Sequence, residues 1–315
     1  MAQPPRPSRD RPRLDDLPFT VSLRRVNLGV GLAAFSLPIL VAGTGLFLQT
    51  CEQNWFLDSI SHYFYAPLSG SLFIATLSVI GVLLAFFFNV PDGSGRELAV
   101  NQVEEYANFK WWEIWLTRFA GVAAFLIAFV PTARSGCVLQ NDVMRAYLLI
   151  GDTPFYTDGG IETLEQAQVA FDFIAVTSWQ VPFGLDLHAV GAAVMFTTLG
   201  YFALFVFTRD QTRDHADTPG SAAADPERIR RKRLRNLIYR CCGVTIFAAI
   251  LAIGGKFALC QGLGPCAIDD WNPTFIVETL ALWAFALAWL VKGRFFPSLA
   301  DPGPPRQPAD GPRAA

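Results

Sequence analysis

The chain has 315 residues, of which 52% are hydrophobic and 17% charged, and its mean hydropathy is positive at +0.33. That balance excludes an ordinary water-soluble globular domain and points to a membrane protein, with membrane lipids as expected partners and no nucleic acid. The net charge of −2 decides nothing by itself, because in a bilayer protein the placement of lysine and arginine matters more than their sum.

Residues 1–27 are rich in proline and arginine and contain no apolar run before Leu28, so they read as a disordered cytoplasmic tail without a cleavable signal peptide. Crossing roughly 30 Å of hydrocarbon takes about 17 to 25 apolar residues in a helix. Six stretches qualify: 28–48, 68–90, 114–130, 189–207, 241–259 and 275–291. Within them the only charges are Arg118, Lys256 and Glu278, each close to an end of its span. Pro38 in the first span is expected to kink a membrane helix rather than end it.

The fold class expected is therefore an all-α, six-span helix bundle over 28–293, with disordered tails at 1–27 and 294–315. Its orientation follows from charge. If both termini are cytoplasmic, the cytoplasmic segments hold 21 of the 25 lysines and arginines, and the opposite side holds only Arg134, Arg145 and, at the outer end of the fifth span, Lys256. The cytoplasmic loop 208–240 ends in a basic run and contains His215, on the wrong side to join the other histidines.

The long outer loop, 131–187, is acidic, and within it residues 161–179 show helical periodicity, read as a short amphipathic helix at the interface. Cys51, Cys137, Cys260 and Cys266 all fall on the outer side, where two disulfides are possible; Cys260 with Cys266 and Cys51 with Cys137 is the expected pairing. Cys241 and Cys242 read as packing residues. Trp111, Trp112 and Trp115 mark one border, and Trp55, Tyr63, Tyr65, Trp179 and Trp271 the other, as interfacial belts do. Gly29, Ala33, Gly43, Gly45, Gly81, Gly191, Gly200, Gly254 and Gly255 are expected at helix contacts, since close backbone approach drives helix association in lipid.

Polar groups gather at the outer level. His62 lies just before the second span, His188 opens the fourth, and Glu278 lies one turn inside the sixth. Ser59 and Ser61 flank the same stretch, and Asp58 precedes His62 by four residues, which on a helix would share a face. Three readings follow. His62, His188 and Glu278 could be ligands of a catalytic zinc in an intramembrane lipid hydrolase, although no His-x-x-x-His or Glu-x-x-His spacing supports that. The cluster could instead be metal-free, needing no cofactor, and bind a lipid headgroup or fix helix packing; or its members could be interfacial anchors. The second leads, because an ionisable residue inside a span is by default a functional residue. Glu278 could pair with Lys256. Arg118, near the inner end of the third span, could hold a lipid phosphate or reach the interface. No nucleotide-binding loop, serine elbow or repeat is visible, and the reading favoured is not enzymatic.

Ser59-Ile60-Ser61-His62-Tyr63 with Pro67, His188 to Ala193 with Phe196, and Glu278 to Phe285 with Trp289 to Gly293 together resemble a group of bacterial six-span membrane proteins. More distantly they are similar to the DRAM-like group, which includes proteins of GPI-lipid remodelling. The resemblance spans roughly 24–295, apart from 140–183, and implies six helices with both ends inside, in the cytoplasmic membrane. Where the distant relatives carry an acidic residue and a glycine after the Ile-Ser pair, this chain has His62 and Tyr63. Ceramidase and adiponectin-receptor hydrolases offer a looser analogy, but they have a seventh span and a third membrane histidine.

Overall fold

The computed structural model describes residues 22–47, 57–88, 109–130, 154–157, 160–163, 187–209, 226–263 and 273–300. Six long helices dominate: α1 Leu23–Phe47, α2 Pro67–Val82, α3 Trp111–Phe129, α4 Leu187–Tyr201, α5 Pro226–Leu263 and α6 Pro273–Lys292. Five-residue π-helical stretches, Leu83–Phe87 and Phe202–Val206, prolong α2 and α4. Each long helix, with its extension, contains a segment apolar and long enough to cross a membrane, so the six expected spans are all helices.

The helices pack in chain order, α1 on α2 through to α5 on α6, and α6 returns to α1 to close a ring. Neighbours alternate in direction, so the described chain enters and leaves at one end. There Arg24 Nε donates to the Gly293 carbonyl at 3.2 Å. We call this the Glu113 end and the opposite one the Ser59 end.

In lipid the helices gain little by hiding apolar surface from one another, and close contact has to hold them instead. At Gly121 a Cβ would lie 2.6 Å from the Ala85 nitrogen and 2.8 Å from the Gly81 carbonyl oxygen, so α2 and α3 touch backbone to backbone. Gly81 and Gly191 also meet a neighbouring backbone, Gly29, Gly45 and Gly200 meet the side chains of Leu83, Tyr63 and Phe247, and Gly43, Gly254 and Gly255 face open space. Aromatic rings fill the interior near the Glu113 end: Trp289 packs edge-on against Phe207 and Phe285, both at 4.7 Å. Outward faces are apolar too, with Phe86 65% and Leu251 75% exposed, as lipid-facing residues should be.

α5 corrects the sequence reading at its start. It begins at Pro226 and takes in the basic run that was assigned to a loop, giving 38 residues. At 1.5 Å per residue that is about 57 Å, nearly twice the hydrocarbon thickness. Arginine and lysine favour helix, and this stretch has no need of an apolar partner in water. Two of its arginines act on the segment that follows α6: Arg231 Nη1 and Arg235 Nη1 donate to the carbonyls of Ala300 (2.9 Å) and Leu299 (2.6 Å). Residues 294–300, expected to be disordered, thus form a defined segment with a 3₁₀ turn at Pro297–Leu299.

Outside the bundle, β1 Pro154–Thr157 pairs antiparallel with β2 Gly160–Thr163. The amphipathic helix expected from residue 161 therefore does not start there; the residues between the strands in sequence, Asp158 and Gly159, are a pair that two-residue hairpins favour. The rest of that expected helix lies outside the described residues. So do Cys51, Cys137, Cys266 and the side chain of Cys260, and with them the expected disulfides. Cys241 and Cys242 are free thiols.

Candidate functional site

The stretch before α2 is a capped 3₁₀ turn, Ile60–Tyr65. Ser59 is extended at φ −145°, and its Oγ accepts the Ser61 N–H at 3.1 Å. Pro67 then fits the first turn of α2, where its missing N–H costs nothing. Tyr63 and Phe64 are driven inward. Tyr63 occupies the space that a side chain at Gly45 would take, and its hydroxyl accepts the Leu57 N–H at 3.3 Å. Tyr63 is thus a core residue 1% exposed and not the interfacial anchor expected, and burial raises the pKa of its phenol.

This turn is fastened to α6. Ser59 Oγ donates to the Glu278 carboxylate, 2.9 and 2.8 Å from its two oxygens, and the Ile60 N–H donates to Oε2 at 2.7 Å. The Phe275 N–H completes the tie by donating to the Asp58 carbonyl at 2.8 Å. Glu278 is therefore held by the turn itself. The Lys256 ammonium, the expected partner of Glu278, donates to Thr274 Oγ1 at 2.9 Å.

A second tie runs to α4. His188 is buried at its start, with Nδ1 2.8 Å from the Val130 carbonyl and Nε2 2.8 Å from Ser61 Oγ. A carbonyl can only accept, so in the neutral ring Nδ1 carries the proton and Nε2 accepts from the serine hydroxyl.

His62 differs from both. Its Nδ1 is buried and makes no hydrogen bond. Burial lowers its pKa, Asp58 opposes that, and the nearby His188 and Lys256 add to it. Asp58 does not share a helical face with His62, as its spacing suggested, because it sits in a bend ahead of the turn.

The residues singled out from sequence, His62, His188, Glu278, Asp58, Ser59 and Ser61, do converge at one end, but as two separate hydrogen-bonded ties with His62 between them. They do not converge as metal ligands. Among the described residues no three His, Cys, Asp or Glu side chains could hold a metal ion together, and hydrogen bonds already engage both nitrogens of His188 and both oxygens of Glu278.

Arg118 stands apart, its guanidinium 4.9 Å from the Trp115 ring centroid on an outward face of α3. The sequence reading missed a further cluster at the Glu113 end. Glu113, wholly buried, accepts from the Lys110 N–H (2.8 Å), the Tyr201 hydroxyl (3.0 Å) and Arg209 Nη1 (2.9 Å), with Arg209 Nη2 at 2.5 Å. Arg209 Nη2 also donates to the Tyr201 hydroxyl at 3.0 Å. Both charges lie just beyond the apolar runs, where hydropathy reads them as loop; a glutamate at the third helical position, three after the capping residue Lys110, is the signal that was available.

No family model matches the chain, and none of the curated proteins or solved structures matches it.

Proposed function

We propose that this is a protein of the bacterial cytoplasmic membrane with both termini cytoplasmic, related to the DRAM-like group. On this reading the outward-facing Ser59 end binds lipid headgroups beside His62. The excess of lysine and arginine on alternate loops supports the orientation. The observation that carries the binding reading is the His62 ring nitrogen, buried without a partner at the Ser59 end of the bundle, with Asp58, His188 and Lys256 as its charged and titratable neighbours. An unsatisfied buried polar group is costly, by about 1–3 kcal/mol, and a headgroup oxygen that filled it would recover that cost. In the same reading Glu278 is the fastener that holds the turn in place, and Arg118 meets a lipid phosphate in the other leaflet.

Lipid co-purifying with the detergent-extracted protein tests this. The amount bound should fall in His62→Ala while the fold is kept. Bound lipid and thermal stability indifferent to His62→Ala, His188→Ala and Glu278→Gln would end the proposal. Stoichiometric zinc in the purified parent, lost in His62→Ala and His188→Ala, would replace it with a metal-dependent lipid hydrolase. Cysteine labelling that placed the turn at 60–65 and the start of α4 on opposite faces of the membrane would remove any shared pocket.

A further inference from the structure

We infer that Ser61 and His188 form a nucleophile and general-base pair that acts on carboxylic esters of lipid. A serine hydroxyl is a weak nucleophile until a base is placed to take its proton, and a base works best when a third group fixes its ring. All three parts are present. His188 Nε2 lies 2.8 Å from Ser61 Oγ, and the Val130 carbonyl at 2.8 Å from Nδ1 holds the ring in the tautomer in which Nε2 is the acceptor. The third group is a backbone carbonyl where serine hydrolases commonly use a carboxylate, which orients the ring without adding charge. His188 is buried and Ser61 half-buried, so the base is shielded while the serine residue is partly exposed.

The chemistry closes with water as the only co-reactant. Ser61 Oγ adds to the ester carbonyl carbon as its proton passes to His188 Nε2. The bond to the leaving alcohol breaks, the alcohol oxygen takes that proton, and an acyl ester remains on Ser61. Water, or the hydroxyl of a second lipid, then attacks that ester with His188 again accepting the proton, and the acid or the exchanged ester leaves as Ser61 regains its hydrogen. Negative charge on the carbonyl oxygen would meet His62, the adjacent residue, whose Nδ1 makes no hydrogen bond, in a field to which Lys256 adds positive charge and the Asp58 carboxylate opposes it.

The inference rests on the headgroup reading above for its substrate class, so its test must not depend on lipid. A short-chain alkyl fluorophosphonate, applied to the full-length protein in detergent, reacts with activated serines without needing a headgroup site. The expected result is a single adduct on Ser61 by peptide mass spectrometry, none in Ser61→Ala, and a labelling rate about 100-fold or more lower in His188→Gln. An unlabelled parent overturns the inference, as does a Ser61 adduct formed equally fast in His188→Gln. If His188→Gln does not fold, the parent's rate against pH decides: a rise through one ionisation in the histidine range supports the base, and a flat profile between about pH 5 and 8 overturns it. Lipid retained by a parent that the probe leaves unlabelled refutes this inference alone. Labelling of Ser61 with no lipid bound refutes the headgroup reading alone.

Discussion

Removing Arg209 should damage the bundle more than removing Glu113, although the two form one ion pair. The Glu113 side chain is 0% exposed and accepts from four donors, whereas the Arg209 side chain is 23% exposed. Breaking a buried pair costs about 3–5 kcal/mol because the survivor is left as an uncompensated buried charge. In Arg209→Ala the survivor is a carboxylate with no route to water, and the full range applies. In Glu113→Ala the survivor is a guanidinium that can turn outward, so the loss should fall at or below the lower bound, near ~3 kcal/mol. Tyr201 then keeps the Arg209 contact. Glu113→Gln keeps one accepting oxygen, for either the Lys110 N–H or the Tyr201 hydroxyl, and forfeits the charge and the other acceptor, a loss of about 1.5–3 kcal/mol. Reversible unfolding in mixed micelles, run as a double-mutant cycle, measures all of these. The double mutant should be less unstable than the sum of the single losses by about 2 kcal/mol. Coupling under about 0.5 kcal/mol, or Glu113→Ala the more damaging change, would refute the account of which charge is trapped.

Gly121→Ala should cost about 1–3 kcal/mol, since its Cβ would press on the backbone of Ala85, while Gly254→Ala, with nothing within 4 Å, should be neutral; equal thermal stabilities would count against the backbone contact. Acid should weaken the fold through His62. Burial depresses its folded pKa below the ordinary 6.5, so the unfolded chain binds the extra proton first, and stability is full above about pH 6.5 and declines as pH falls toward the folded value. His62→Gln should flatten that decline in a pH series of unfolding midpoints, and an unchanged slope would assign the effect elsewhere. Arg231→Ala with Arg235→Ala should free the 294–300 segment, seen as faster maleimide labelling of Ser298→Cys; the same rate with both arginines removed would mean that their hydrogen bonds do not hold it.

Six apolar runs separated by polar loops were enough to determine the spans, because the cost of unpaired backbone in hydrocarbon forces each run into a helix whatever its neighbours are. The convergence of His62, His188 and Glu278 at one end was legible for the same reason: the number of crossings fixes the level of every residue near a span end. Which of them touch was not. Whether Glu278 meets Lys256 or Ser59, and whether Ser61 meets His188, depends on the order and rotation of helices around the ring. Those are set by close approach at residues such as Gly121 and Gly45, and a glycine looks the same in sequence whether it faces a helix or lipid. Tyr63 illustrates the limit: its composition suits an interfacial anchor, yet a gap on α1 draws it inside. Glu113 and Arg209 were hidden because hydropathy scores each residue alone, and only the fold of the chain brings two distant charges close enough to neutralise each other.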